Sequence, residues 1–396
     1  MNYILYDGRS RDALLPFTFT RPVADLRIGI FTIREKWEKY LRLTTTTLTE
    51  EYLSHKYPLV EMEQNIFINA SYLPNPDFFK AVKYLKPNHK IICDGDVLAF
   101  YSREDQEEIA LEHYDVIELK NISSIQNKWD LCLKNKCAMR QDFEWIKEND
   151  ISEEIPQGVQ VVNKSQIFIE QGATIFPCVL NASEGPIYIG KNATVLDGAL
   201  IRGPFALGEN SVVKMGAKIY GSTSIGPNCK VGGELKNSIF FANSNKGHEG
   251  YIGDSVIGEW CNLGAGTSVS NLKNTLSNIK MWTYEDHLYE DSQQLYCGLM
   301  LGDYSRTGVN STLNSGTVVG VSVNIFGEGF MKKFMPSFTW GGKEKNQIYK
   351  LKKALSTATR SMELSNQEIT KEELHILEEI FYQTKKYRDY VEKEKT

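Results

Sequence analysis

The 396-residue chain contains no uninterrupted apolar run of about 18 residues, so no segment is expected to span a membrane as a helix. Its opening, MNYILYDGRSRD, turns acidic by the seventh position and has no long apolar core, which argues against a secretory leader. Positive charge is not in excess. Lys and Arg number 45 against 50 Asp and Glu, a net charge of −5, which excludes a strongly basic nucleic-acid binder. The seven cysteines (Cys93, Cys132, Cys137, Cys178, Cys229, Cys261, Cys297) include no C-x-x-C pair and are odd in number. They read as reduced, mostly buried thiols of a cytoplasmic protein. Histidine is scarce too, and His55, His89, His113, His287 and His375 stand at no metal-ligand spacing from His248.

Glycine is nearly missing from one part of the chain and dense in another. Of 30 glycines, only Gly8, Gly29 and Gly95 fall in residues 1–150, whereas 22 fall in residues 189–331. Two kinds of structure are therefore joined near 150–165, and the length agrees with two to three domains at about 150 residues each.

The glycine-rich part has a period of six. Aliphatic residues recur at Ile189, Val195, Ile201, Leu207, Val213, Ile219, Ile225 and Val231. Ile169 and Ile175 share the spacing in a different phase, and it returns at Ile257, Leu263 and Val269 and at Leu301, Thr307, Leu313, Val319 and Ile325. A helix wants apolar residues three and four apart and a plain strand every two, so neither produces six. The period predicts short parallel strands stacked as a β-helix, with aliphatics inside and turns at the corners. Two stretches break the phase, 237–250 and 270–297, and both are expected to loop out on one face. An open end of such a stack needs a cap. Residues 343–396, with helical apolar spacing in two segments, supply a helical tail, and Ser365 with Glu368 is expected to cap its second helix.

The first 150 residues read as mixed α/β. NYILYD, NIFINA, KIICDG and DVIEL have strand character, and IGIFTIREKWEKYL has helical character. Ligands of such sheets bind beyond the carboxyl ends of the strands, so loops 7–16 and 94–97 are the places to look. The expected division is 1–155, 160–335 and 343–396.

The segments GELKNS and SNKGHEGYIGDSVIGEWCNLGAGTSVSN resemble the acetyltransferase domain of bacterial bifunctional N-acetylglucosamine-1-phosphate uridyltransferase/glucosamine-1-phosphate acetyltransferases. LLPFTFTRPVADLRIGI, IRGPFALG, KMGAKIYG and PSFTWGG resemble a Bacteroides-type branch, usually labelled sugar nucleotidyltransferases and sometimes glucose-1-phosphate thymidylyltransferases. The resemblance implies an α/β nucleotidyltransferase-like domain followed by a left-handed parallel β-helix of hexapeptide repeats, assembled as a homotrimer.

By that resemblance, His248 is the general base that deprotonates the amine of an amino-sugar phosphate. An imidazole titrating near neutrality suits the task. Lys236 matches a lysine that contacts the sugar phosphate, and Tyr251 and Asn262 match sugar-binding positions. Lys218 stands near a phosphate-binding arginine, and as a lysine it lacks the bidentate fork. Ala265 and Asn271 match positions lining the acetyl-CoA site. Beyond Asn271 the chain departs from the family, and either Lys273 or Lys280 replaces a family lysine.

In the first domain, the usual glycine-rich loop has become LYDGRSRDALLP. Gly8 and Arg11 keep two of its features, and Arg21, beside Pro22, stands where a lysine is usual. Such a loop neutralises a triphosphate. Asp96, after Gly95, matches an aspartate that holds Mg²⁺, although Asp-Gly is also a common turn dipeptide. The implied reaction joins a sugar-1-phosphate to an NTP, UTP or dTTP, with acetyl-CoA as a second co-substrate. Two rivals stay open: a single-activity glucose-1-phosphate thymidylyltransferase, and a non-catalytic scaffold built from both folds.

Overall fold

A computed structural model describes residues 1–103, 110–343 and 346–393. Residues 344–345 and 394–396 of the expected tail lie outside the described residues. The chain forms two compact units: Met1–Leu26 with Phe31–Lys128, and Arg27–Ile30 with Trp129–Thr396.

The first unit is built on a six-stranded mixed sheet. Its strands run in the spatial order Thr46–Leu48, Asn2–Tyr6, Gln64–Asn69, Asp96–Arg103, His89–Cys93, Asp115–Glu118. Strand Asn2–Tyr6 is parallel to both its neighbours, while Asp96–Arg103 runs antiparallel to both of its own. Tyr6, Asn69 and Cys93 therefore end at one edge, where Asp96 begins. The central strands are apolar because both faces are covered: Ile4, Leu5, Ile66, Ile68 and Ile91 are fully buried. The expected helix in IGIFTIREKWEKYL is confined to Ile33–Leu41. Thr32 caps it, accepting from the Glu35 amide while the Glu35 carboxylate accepts from the Thr32 amide.

The second unit is a parallel β-helix. Three ladders run along it: nine strands from Ile167–Ile169, ten from Thr174–Ile175, and six from Gln160–Val162 to Tyr251–Gly253. Registers such as Ile189↔Leu207 and Leu207↔Ile225 show coils of eighteen residues, three hexads each. The aliphatics at the six-residue period are all inside, with Ile189, Val195, Leu207, Val213 and Val231 fully buried. This shields apolar surface at about 25 cal/mol per Å².

The two phase breaks have different causes. Residues 237–250 do not loop out. They form an ordinary part of the coil, with strands Ile239–Phe240 and Asn245–Lys246 in the first and second ladders. The phase slips because the coil is shortened at its corners, from Val231 to Leu235 and from Leu235 to Phe240. Residues 270–297 do leave the coil. They hold the hairpin Lys280–Thr283 with Leu288–Asp291, whose Trp282 stacks on Phe334 at 4.2 Å.

Helix Asp130–Asn149 is tied to the coil by Asn135, which donates to Ser222 O at 2.8 Å and accepts from Ser224 Oγ at 3.1 Å. The tail helices Leu351–Glu363, Lys371–Gln383 and Lys385–Lys393 cover the far end. There Tyr387 donates to Tyr284 O, Arg388 donates to Ser337 O, and Phe338 meets Phe381 edge-on. The second helix is capped by Thr370 with Glu373, five residues beyond the expected Ser365 and Glu368, because the helix itself starts at Lys371. Among the described residues no helix is long and apolar enough to cross a membrane. All seven cysteines are free thiols, and only Cys137 is exposed.

Candidate functional site

The outward face of the six-stranded ladder carries three of the polar residues singled out in the β-helix, Lys218, Lys236 and Tyr251. Ile219, Leu235 and Ile252 point into the coil, so the residues flanking them point out. Lys218, Glu234 and Tyr251 are in register on successive strands, at about 4.8 Å per step. Lys236 is in register with Gly253. Lys218 and Lys236 are exposed, and the Lys236 ammonium lies 5.7 Å from the Tyr296 ring. Tyr296 comes from the base of the insertion, bridged to Leu272.

Tyr251 and Asn271 belong to one hydrogen-bond network centred on Asp254. The Asn271 amide donates to the Tyr251 hydroxyl at 3.1 Å and to Asp254 Oδ2 at 2.5 Å, while Asn237 donates to Asp254 Oδ1 at 2.6 Å. Asp254 is buried, so its lone pairs need these donors. Burial, then the Asp254 and Glu234 charges, push the Tyr251 phenol up to about 12, so it keeps its proton at neutral pH. Gly253 makes the arrangement fit: a Cβ there would lie 2.3 Å from the Tyr251 hydroxyl oxygen and 2.9 Å from Asn271 Nδ2.

His248 sits on the corner between strands Asn245–Lys246 and Tyr251–Gly253, and it is exposed. Ala265 occupies the corner one coil further on. The Gly266 amide donates to Glu249 O at 2.9 Å, which stacks the two corners. Asn262 lies on the other side of the corner, in the second ladder, where its side-chain oxygen accepts from Asn245 at 2.9 Å. Lys273 turns to the Asn278 carbonyl, and Lys280 is exposed on the hairpin. Sequence reasoning missed three members of this region: Asp254, Tyr296 and Lys246. The Lys246 side chain is fully buried, and its ammonium donates to the carbonyls of His248 and Glu249.

The first unit places Gly8 and Asp96 at the same carboxyl edge of its sheet. A Cβ at Gly8 would lie 2.6 Å from both terminal atoms of Asn69, so a larger residue there would have to displace the Asn69 amide. Asp96 is exposed and follows a two-residue hairpin turn in which Asp94 and Gly95 both have positive φ. One of its oxygens accepts from the Tyr72 hydroxyl at 2.7 Å.

Arg11 and Arg21 are both buried. Arg11 is committed inside the unit: Nε pairs with Asp7 at 3.1 Å, and Nη2 donates to Thr18 O at 2.6 Å and Tyr52 Oη at 3.2 Å. Asp7 also accepts from the Val23 amide and the Thr49 hydroxyl, both at 2.6 Å. Arg9, by contrast, is exposed in the loop. Among the described residues no three His, Cys, Asp or Glu side chains stand together as a metal cage. A single oriented carboxylate still fits Mg²⁺, which commonly binds through one or two carboxylates with phosphate oxygens and water.

Comparisons with known proteins give a family match at the start of the chain and partial matches to curated relatives. Residues 3–151 match the family model described as sugar nucleotidyl transferase. A bifunctional sugar-1-phosphate nucleotidylyltransferase/acetyltransferase of Sulfurisphaera tokodaii is 33% identical over 93 residues, 24% of this chain and 23% of that protein. The bifunctional protein GlmU of Synechococcus sp. strain CC9311 is 31% identical over 111 residues, 28% of this chain and 20% of the relative. The chain thus spans about a quarter or less of the length of these curated relatives. Among solved structures, the polySia-specific acetyltransferase NeuO matches with 15% identity and a TM-score of 0.27, covering 49% of this chain and 87% of that one. The chain therefore joins a segment that matches the sugar nucleotidyl transferase family to a parallel β-helix, and it is similar over part of its length to bifunctional sugar-1-phosphate nucleotidylyltransferase/acetyltransferases.

Proposed function

We propose that the protein makes a sugar nucleotide with two activities, one in each unit. The β-helix transfers an acetyl group from acetyl-CoA to the amine of an amino-sugar-1-phosphate, of the glucosamine-1-phosphate type. The α/β unit joins a sugar-1-phosphate to UTP or dTTP and releases pyrophosphate. With N-acetylglucosamine-1-phosphate as the sugar and UTP as the nucleotide, the product is UDP-N-acetylglucosamine.

The observation that carries the acetyl-transfer reading is the exposed His248 corner, from which the chain runs directly into strand Tyr251–Gly253, beside exposed Lys236 and Lys218. In this reading His248 takes a proton from the substrate ammonium or amine. The nitrogen attacks the thioester carbonyl and forms the amide C–N bond, the C–S bond breaks, and the departing coenzyme A thiolate takes the proton from His248 to leave as a thiol. Lys218 and Lys236 meet the phosphate, Tyr251 and Asn262 donate to sugar hydroxyls, and Ala265 and Asn271 border the acyl donor. The enzyme works in the cytoplasm as a homotrimer.

In the α/β unit, Asp96 holds Mg²⁺ together with the substrate phosphates. When bound, that ion neutralises charge on the transferring phosphoryl group. Gly8 lets backbone amides approach the nucleotide, and exposed Arg9 supplies the loop's cation, a role that buried Arg11 is not free to take. That burial favours a second reading, in which the α/β unit binds a nucleotide sugar without turning it over.

Two separate assays on the wild-type protein test the proposal, with a panel of sugar and amino-sugar phosphates. One reads coenzyme A thiol release and the other reads Mg²⁺-dependent pyrophosphate release. Both signals support the two-activity reading. Thiol release alone selects the second reading, and no thiol release on any amine rejects the acetyl-transfer claim.

A further inference from the structure

The interior of the β-helix is largely apolar, and at one coil a lysine enters it. On the second ladder, the inward positions run Ile175, Val195, Val213, Val231, Lys246, Leu263, Thr307 and Ile325, with Val231 and Lys246 in direct register, and Lys246 is the ionisable one among them. Lys246 is fully buried at this column. A buried ammonium is costly, and an aliphatic residue of similar volume usually fills such a place at least as well. The position therefore requires something the ammonium supplies.

What it supplies is two charge-assisted donors to one corner. Nζ donates to the carbonyl of His248 and, at 3.1 Å, to that of Glu249. Glu249 O has a second donor in the Gly266 amide, so the stacked corner helps to hold it. The His248 carbonyl is turned toward the ammonium while its side chain is exposed. Fixing the carbonyl fixes the plane of the peptide that follows His248 and so restricts the backbone torsions about the Cα that carries the imidazole.

We propose that Lys246 is a positioning residue, whose buried ammonium clasps the His248–Glu249 corner and sets where the His248 imidazole stands. Its bearing on acetyl transfer rests on the function proposed above; the clasp itself does not. Burial pushes the Lys246 ammonium down to about 8, against a smaller opposing effect of Glu249. Glu249 is the charged group on its own corner, and the stacked corners Gly232–Gly233 and Gly264–Thr267 carry no titratable side chain. The clasp is thus strongest below pH 8 and weakens above it as the charge is lost.

The test compares the full-length wild type with Lys246→Met, which keeps the volume and removes the donors. Amide hydrogen exchange at Gly266, whose N–H donates to the clasped Glu249 carbonyl, should accelerate at least about tenfold, with Ile239–Phe240 and Leu263 still protected and the melting temperature not lowered. The kcat of acetyl transfer should fall by about 10²-fold with KM little changed, and the wild type's loss of kcat above pH 8 should disappear. Unchanged exchange at Gly266 overturns the proposal. So does loss of protection spread through the coil with a lowered melting temperature, which would make Lys246 a core residue only. If the wild type acetylates no amine, the functional reading falls, while the exchange data still decide the clasp.

Discussion

The Asn271 amide donates to the Tyr251 hydroxyl at 3.1 Å across twenty residues of chain, and the same amide nitrogen reaches Asp254 at 2.5 Å. Two residues matched separately to sugar and acyl-donor positions are therefore one mechanical unit, anchored on a buried carboxylate. Tyr251→Phe should raise KM for the amino-sugar phosphate by about 2- to 10-fold, the worth of one hydrogen bond. Gly253→Ala should do more, because the new Cβ displaces the phenol outright. Steady-state kinetics on both variants checks the order.

Lys246 also gives stability a pH dependence of definite sign. Its folded-state value is lowered to about 8 from 10.5, so between those limits the unfolded chain binds more protons. Stability contributed by this group therefore rises with pH from about 8 to 10.5. The melting-temperature difference between Lys246→Met and the wild type should be largest near pH 7 and shrink toward pH 10.5. A difference that is flat with pH would show that the ammonium is not desolvated.

Arg11 should matter for stability before it matters for nucleotide. Arg11→Met leaves the buried Asp7 carboxylate without its Arg11 partner, a loss of about 3–5 kcal/mol for a broken buried pair. Denaturant unfolding should show that loss. Arg9→Ala, at an exposed position of the same loop, should leave stability near wild type and raise KM for the nucleotide.

Asp96→Asn should remove Mg²⁺-dependent pyrophosphate release and leave acetyl transfer intact. The exposed carboxylate, oriented by the Tyr72 hydroxyl, is the group that meets the ion in the proposed reading. Parallel assays of the two activities on this variant check it. Wild-type pyrophosphate release would reduce Asp96 to the residue after a hairpin turn.

Much of this architecture is legible in the sequence because burial in a β-helix repeats at a fixed interval. Ile189 through Val231 announce the coil by spacing alone, and all are inside. Lys246 escaped notice for the same reason in reverse: Phe240, Lys246 and Ile252 keep the six-residue step, but a lysine at an interior register breaks the apolar pattern and makes 237–250 look like a loop. Reading the step instead of the hydropathy would have found it. The Asp94-Gly95 turn was visible as a dipeptide, and the hairpin follows from its two positive φ angles. The burial of Arg11 was less visible, although Asp7 stands four residues before it. Composition does not tell a cation offered to a triphosphate from one consumed by a neighbouring carboxylate. Asp254 gave no local sign of its role, since its partners Asn237 and Asn271 each lie seventeen residues away.

The most direct measurement is coenzyme A thiol release from acetyl-CoA with glucosamine-1-phosphate, for the wild type and His248→Ala, alongside thermal melts of both. The account predicts turnover by the wild type and a fall in kcat of about 10²- to 10⁴-fold in the variant, with melting unchanged because His248 is exposed on a corner. A variant that keeps the wild-type kcat, or a wild type that releases no thiol with any amino-sugar phosphate, would contradict it.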